Sequence, residues 1–215
     1  MDHKRVRDWI VETVDVDLSS IETVLRAVPR HRFVPEAWRD LAYANRPLTL
    51  GNGTTISVPS VMASMVDHLA LSSGYRVLKM GTGSEYYATV VAEVVGAAKF
   101  YRSSTTRTSR RRQGTETPSW GDRETSIRIG DGREDWPENA PYNAAYATFA
   151  SRGFLPAVVD QVRVDGLPSV PIGIVDTRLI FAKKRPSGDL DRLDSGAVQG
   201  VPMRGPERSF DASRQ

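Results

Sequence analysis

The 215-residue sequence contains no cysteine and only three histidines. The lack of cysteine excludes disulfides, thiolate nucleophiles and zinc–thiolate sites within these residues. His3, His31 and His68 fit no metal-ligand spacing. No apolar stretch approaches the roughly 20 residues that cross a bilayer, and the charged start predicts no secretory signal. We therefore expect a soluble, cytoplasmic protein with no metal centre and no membrane span.

Charge is nearly balanced, with 29 basic and 26 acidic residues and a formal net charge of +3. The excess is local and lies in a stretch rich in Ser and Thr that contains Arg102, Arg107, Arg110, Arg111 and Arg112. No aromatic residues that would stack on bases are interleaved with these arginines. We interpret the stretch over 102–122 as a solvated loop, with contacts to nucleic-acid phosphates as the alternative.

Apolar spacing predicts helices in the first third of the chain. Two helices are expected within 1–28, and a proline-bracketed connector from Pro29 to Pro35 leads into a short helical piece over 36–43. A longer helix should follow Ser57, which is placed to cap it, with Pro59 in its first turn. Its buried stripe is predicted to be Val61, Met62, Met65, Val66 and Leu69.

The most informative stretch runs from Arg76 to Tyr86, where a short apolar strand leads into a glycine turn and then a helix. In doubly wound α/β folds, such a turn lets the backbone approach a nucleotide-like ligand and offers it helix N-terminal amides. Further strands are predicted over 97–101, 125–129, 142–148, 170–172 and 177–182, with a helix over 155–162. This alternation predicts a mainly parallel sheet with helices on both faces.

Short segments along most of the chain match the pattern of one known family. They are Val28-Pro29-Arg30, Arg32-Phe33-Val34-Pro35, Ala42-Tyr43, Thr55-Ile56-Ser57 with Pro59, Arg76-Val77-Leu78, Gly81-Thr82-Gly83-Ser84, Gly130-Asp131-Gly132, Trp136-Pro137, Ala140-Pro141-Tyr142, Val170-Pro171-Ile172-Gly173 and Gly200 to Pro206. On these segments the chain resembles the protein-L-isoaspartate O-methyltransferases from about Val24 to Pro206. The resemblance implies a Rossmann-like class I methyltransferase fold with an N-terminal helical extension.

We expect a single domain over 1–215, organised as the resemblance implies. Residues 1–60 would form a helical and substrate-side segment, and 61–184 the Rossmann-like core. The segment over 185–215 is rich in Pro, Gly, Asp, Ser and Arg and has few apolar residues. This composition predicts an irregular C-terminal segment.

The family binds S-adenosylmethionine and methylates a peptide carboxylate, usually that of an isoaspartyl residue. The resemblance implies that Thr55 and Ser57 are catalytic and lie beside the methyl group and the substrate carboxylate, to which the Ser57 hydroxyl would donate. The implied cofactor-binding residues are Gly81, Thr82, Gly83, Ser84, Asp131 and Gly132, with Asp131 accepting from the adenine amine. The expected partner is therefore a peptide, protein or small-molecule substrate.

Several positions in the implied cofactor pocket depart from the family pattern. Lys79 replaces an acidic residue, and Glu85 replaces a small residue of the glycine turn. Phe149 and Arg152 stand in what is otherwise a wall of small residues. The strand end over 99–104 lacks the carboxylate that takes the ribose hydroxyls. A cation at position 79 would face the cofactor's ammonium and sulfonium, at a cost on the order of 1 kcal/mol.

These departures leave different functions open. The first is conventional S-adenosylmethionine-dependent carboxyl methyl transfer. The second is a degenerate methyltransferase fold, either a binding module or an enzyme for a cofactor-independent rearrangement, dehydration or cyclisation. In that case Glu85, Phe149 and Arg152 fill the pocket, or Lys79 and Glu85 form an acid–base couple. A simple Lys79–Glu85 ion pair would instead leave a remodelled but open pocket. The third function is nucleic-acid binding through the arginine run.

Overall fold

The computed structural model describes residues 28–51, 54–81, 85–96, 100–104, 126–129 and 136–200. The two predicted N-terminal helices, the arginine-rich stretch beyond Ser104 and the segment beyond Gly200 lie outside the described residues. Among the helices that are described, none has both the length and the apolar character needed to cross a membrane.

The proline-bracketed connector forms two short 3-10 helices, Arg30–Phe33 and Glu36–Leu41. Each follows a proline, whose ring fixes φ and allows a helical turn to begin directly after it. A hairpin of β1 (Leu48–Gly51) and β2 (Thr54–Ile56) comes next. The sequence predicts only a glycine turn and an extended segment here. The hairpin pairs Leu48 with Ile56, and both side chains are buried.

A seven-stranded sheet forms the centre of the molecule. Its strands are β3 (Val77–Met80), β4 (Phe100–Ser104), β5 (Ser126–Ile129), β6 (Tyr142–Ala147), β7 (Val162–Ile172), β8 (Arg178–Lys184) and β9 (Leu190–Ala197). Their order is β5-β4-β3-β6-β7-β8-β9. The pairings from β5 to β7 are parallel, and β8 and β9 are added antiparallel. The predicted mainly parallel sheet is therefore confirmed.

Among the described residues, three α-helices pack on the two faces of this sheet: α1 (Pro59–His68), α2 (Glu85–Val95) and α3 (Pro156–Gln161). Residues alternate between the faces along β3, since Val77 packs in the layer with α1 and α2 while Leu78 and Met80 pack in the layer with α3. Burial of each such aliphatic side chain contributes roughly 1.5–3 kcal/mol. Of the stripe predicted for α1, Met62, Met65, Val66 and Leu69 are buried, and Val61 is half-buried against the same core.

The strand order reverses direction at β3. From β3 the chain passes to β4 on one side, and β6 then returns to pair with β3 on the other side. In open α/β sheets, the crevice beyond the carboxyl ends of the strands at such a switch point is the usual ligand site. The candidate site is therefore expected where β3 and β6 end.

The expectation of an irregular segment from Arg185 is wrong for residues 190–197, which form β9. This strand pairs antiparallel with β8, and two cross-strand ion pairs, Arg178–Asp194 and Arg185–Asp191, accompany the pairing. Because β9 is an edge strand exposed over most of its length, it needs few apolar residues, and its composition resembles that of a loop. Its stability comes from non-local pairing with β8.

Candidate active site

The glycine turn begins at Gly81, directly after β3. Gly81 has φ +90°, in the left-handed region that favours glycine, and a Cβ there would lie 2.7 Å from Thr148 Oγ1 and 2.9 Å from Phe149 Cδ1. The Met80 carbonyl accepts hydrogen bonds from the Thr148 N–H at 3.0 Å and hydroxyl at 3.2 Å. The ends of β3 and β6 are thereby joined, and only a residue without a side chain fits between them.

Lys79 lies one strand position before Met80 and is completely buried. Strand alternation places it on the same face as Val77, the face covered by α1 and α2. Its register neighbours are Tyr146 on β6 and Arg102 on β4. The lysine therefore lies within the layer that supports the glycine turn, close to the carboxyl end of the central strand.

The other departures from the family pattern occupy different environments. Glu85 is half-buried and is the first residue of α2, where a negative charge interacts favourably with the helix dipole. Phe149 is half-buried against the Gly81 turn. Arg152 is exposed, which does not favour the alternative in which it fills a closed pocket.

Ser57 is not the N-cap that the sequence predicts. Val58 takes that position, and Pro59 is at the start of α1, as expected. Because Pro59 provides the first helical residue, the cap falls on the residue directly before it. The Ser57 side chain is exposed, so its hydroxyl remains available to a ligand. Thr55, also exposed, lies opposite Thr49 in the hairpin that leads to Ser57.

Arg30 connects the Ser57 segment to the end of the second 3-10 helix and to α2. Its side chain is only 1% exposed, and its Nε–H donates to the Ala42 carbonyl at 2.7 Å. Its Nη2–H donates to the Ser57 carbonyl at 2.6 Å. The guanidinium carbon lies 5.3 Å from the ring centre of Tyr86, in the first turn of α2. A single side chain thus contacts the end of the second 3-10 helix, the Ser57 segment and the helix that follows the glycine turn.

Burial determines the protonation behaviour of this cluster. Loss of solvent lowers the pKa of Arg30 to about 10, so the guanidinium still carries its charge at neutral pH. Burial raises the pKa of the Tyr86 phenol above its usual range, against the opposing effect of Arg30. It also raises the pKa of Tyr43, whose hydroxyl is hydrogen-bonded to His31 Nδ1 at 2.8 Å. The charged Arg30 guanidinium therefore lies beside two phenols, Tyr43 and Tyr86, whose raised pKa values keep them neutral at neutral pH.

The remaining implied cofactor residues lie outside the described part of the chain. They are Thr82, Gly83, Ser84, Asp131 and Gly132. Their roles stay predictions, as does a Lys79–Glu85 ion pair. The described residues bring Gly81, Thr148 and Phe149 together at the switch point, and they connect Ser57 to Tyr86 through Arg30.

Comparison with known proteins shows the ancestry of this arrangement. The family model described as Protein-L-isoaspartate(D-aspartate) O-methyltransferase (PCMT) matches residues 10–208. The chain belongs to the protein-L-isoaspartate O-methyltransferase family. It is 33% identical over 218 residues to Protein-L-isoaspartate O-methyltransferase 2 of Archaeoglobus fulgidus, covering 100% of this chain and 99% of that protein. It is 35% identical over 191 residues to the Picosynechococcus Protein-L-isoaspartate O-methyltransferase, covering 89% and 85% respectively.

Solved structures show the same fold. One protein-L-isoaspartate O-methyltransferase superposes with a TM-score of 0.80 at 22% identity, covering 95% of this chain and 66% of that chain. A Plasmodium falciparum chain assigned to the same methyltransferases, solved in complex with S-adenosyl-L-homocysteine, has a TM-score of 0.75 at 18% identity and covers 95% and 99%. The Rossmann-like class I methyltransferase fold expected from the sequence is confirmed.

Sequence reasoning missed Arg30 as a site residue, although it lies in a segment that matches the protein-L-isoaspartate O-methyltransferase pattern. Arginine is usually exposed, so composition and periodicity assign it to the surface. The available signal was its place between Pro29 and the apolar pair Phe33-Val34, all three close to or within the core. A charged residue at such a position needs partners that only the tertiary structure reveals.

The close approach of β3 and β6 gives a first prediction. Gly81→Ala should destabilise the protein by about 2 to 4 kcal/mol, because it adds steric overlap with Thr148 and Phe149 to a strained φ. Urea unfolding measures the change. Gly74→Ala is the matched control, since its φ of +82° is similar and a Cβ there meets nothing within 4 Å. Equal losses in the two variants would contradict the packing account.

Proposed function

We propose that the protein is an S-adenosylmethionine-dependent carboxyl methyltransferase that acts on isoaspartyl or aspartyl residues of peptides. The observation that carries the proposal is the position of Ser57. Its hydroxyl is exposed and free of a capping role, and its carbonyl is held through Arg30 against the first turn of α2. In a member of this family, that arrangement supports a substrate carboxylate bound beside the glycine turn.

The backbone at the switch point fits an S-adenosylmethionine site. The turn at Gly81 has a conformation that favours glycine, ends a parallel strand and precedes the helix α2. Gly81 and the undescribed Thr82, Gly83 and Ser84 would hold the methionine part, with Asp131 and Gly132 at the adenine. When bound, S-adenosylmethionine supplies a methyl group activated by the sulfonium. The charge of Lys79 opposes the cofactor's cationic groups and is expected to weaken binding without preventing it.

The residues of this chain contribute chiefly by positioning the substrate. A carboxylate is ionised at neutral pH and is already a nucleophile, so the transfer requires no general base. The Ser57 hydroxyl donates a hydrogen bond to one carboxylate oxygen, which orients the other oxygen for attack. Thr55 lines the approach from the exposed side of the hairpin. Reaction therefore depends on how accurately the Ser57 segment is held.

A degenerate fold that no longer uses the cofactor gains no support from the described residues. Arg152 is exposed and does not close the site, and Glu85 occupies a favourable position at a helix start. Binding of S-adenosylhomocysteine separates the two functions, because only the methyltransferase requires it.

The proposed activity is tested by transfer of labelled methyl groups from S-adenosylmethionine. An isoaspartyl peptide should become methylated, and the ester should be labile in base. Ser57→Ala should lower kcat/KM for the peptide by about tenfold to a hundredfold, the effect of losing a hydrogen bond to a charged group. Its affinity for S-adenosylhomocysteine should not change.

Ser60→Ala provides the control for that substitution. Ser60 lies three residues further on and bonds Asn45 at 3.0 Å at an exposed position, so its loss should leave kcat/KM near the wild-type value. A wild-type protein that methylates neither isoaspartyl nor aspartyl peptide would refute the proposed function. Equal effects of the two serine variants would refute the role of Ser57.

The charge at position 79 gives a separate prediction. Lys79→Met removes a buried basic side chain near the cofactor turn and should tighten S-adenosylmethionine binding about tenfold, because the sulfonium and ammonium then face no basic group; titration calorimetry measures the change. Lys183→Met is the control for net charge, since Lys183 is exposed on β8 and pairs with Asp165. Unchanged affinity in Lys79→Met would show that the lysine does not oppose the cofactor.

A further inference from the structure

We infer that Arg30 is a positioning residue, whose guanidinium fixes the Ser57 carbonyl, and with it the Ser57 hydroxyl, relative to the first turn of α2. This inference rests on the proposed function, because it assigns to Arg30 the placement of the group that orients the substrate carboxylate.

The burial of Arg30 is the first observation. Fully buried arginines are rare and are usually paired with a carboxylate. Among the described residues no carboxylate pairs with Arg30, and its buried Nη1 has no hydrogen-bond partner there. Burial of a charge in this way costs free energy that two carbonyl hydrogen bonds only partly offset. Stability alone therefore gives a poor account of this side chain.

The geometry of the guanidinium is the second observation. Nε–H and Nη2–H lie on one edge of a rigid plane, and they donate to the carbonyls of Ala42 at 2.7 Å and Ser57 at 2.6 Å. The spacing between those two carbonyls is consequently fixed by the plane itself. A lysine at this position has a single point of attachment and would not fix two acceptors in the same way.

Tyr86 fixes the guanidinium from a further direction. Its ring lies 5.3 Å from the guanidinium carbon and packs against Phe33 at a centroid distance of 5.3 Å. Tyr86 is the second residue of α2, just beyond the glycine turn. Tyr86 thus holds Arg30 in place relative to α2, the helix that follows the cofactor turn. Arg30 in turn holds the Ser57 segment through its hydrogen bond to the Ser57 carbonyl.

The consequence concerns the few residues between β2 and α1. Ser57 lies after the last residue of β2 and before the N-cap Val58, and its side chain makes no capping hydrogen bond. The hydrogen bond from Nη2 to its carbonyl therefore restrains the residue directly. A displacement of about 1 Å between reacting groups can reduce a rate about a hundredfold. Loss of Arg30 should therefore impair use of the peptide substrate more than binding of the cofactor.

The test compares Arg30→Met and Arg30→Lys with a matched control. Arg30→Met keeps much of the side-chain bulk and removes both donors, while Arg30→Lys keeps the charge and a donor. The control is Lys184→Met. Lys184 Nζ donates to the carbonyls of Val159 and Val162, both at 2.8 Å, at the edge of the sheet away from the carboxyl ends of β3 and β6. Lys184→Met thus removes two side-chain hydrogen bonds to backbone carbonyls, as Arg30→Met does, but far from the candidate site.

We expect kcat/KM for an isoaspartyl peptide to fall at least about tenfold in Arg30→Met, with the affinity for S-adenosylhomocysteine within twofold of wild type. Arg30→Lys should recover part of the loss. Lys184→Met should lower the thermal midpoint but leave kcat/KM unchanged when assayed below that midpoint. If Arg30→Met does not fold, the same split between kcat/KM and cofactor affinity, at smaller amplitude, is expected in Arg30→Lys.

Equal kcat/KM in the Arg30 variants and Lys184→Met would overturn the inference, and so would a parallel loss of cofactor affinity in the Arg30 variants. An inactive wild-type protein would refute the proposed function itself, and the positioning role with it. The two failures are distinguishable because the first is seen only among variants of an active enzyme.

Discussion

The candidate site depends on one buried guanidinium. Arg30 joins two carbonyls from separate segments, Ala42 and Ser57, above the ring of Tyr86. Apolar packing around these segments is non-directional and does not by itself fix the position of a hydroxyl. The guanidinium charge is costly to bury. Its planar set of N–H donors, however, fixes the directions of two hydrogen bonds, which apolar packing does not. The proposed substrate side of the site is therefore positioned by hydrogen bonds.

The cofactor side is positioned differently, by close contact between the ends of two parallel strands. Thr148 donates twice to the Met80 carbonyl, and Gly81 leaves room for Thr148 and Phe149. This contact forms at the switch point of the sheet, where the fold creates a crevice in any case. Lys79 is buried in the layer below the crevice. Membership of the protein-L-isoaspartate O-methyltransferase family and the geometry of the described residues thus support the same function.

Much of the fold could be predicted because its signals are local. The apolar residues of β3, the glycine at position 81 and the stripe of α1 follow from periodicity and turn chemistry. The β9 strand could not be predicted, because an exposed edge strand has the composition of a loop and is stabilised by its pairing with β8. The site was predicted in part. Ser57 was assigned to the site by resemblance, but the N-cap predicted for it is Val58, because Pro59 is the first helical residue. Arg30 was missed because burial of an arginine depends on partners that are distant in the sequence.

The proposed function requires that the Ser57 segment present a substrate carboxylate to a cofactor bound at the Gly81 turn. A crystal structure with S-adenosylhomocysteine and an isoaspartyl peptide tests this most directly. We expect the cofactor to lie across the carboxyl ends of β3 and β6. The peptide carboxylate should be within hydrogen-bond distance of Ser57 Oγ, and the hydrogen bond from Arg30 to the Ser57 carbonyl should be intact. A crevice that excludes the cofactor at millimolar concentration, or a carboxylate bound away from Ser57, would contradict it.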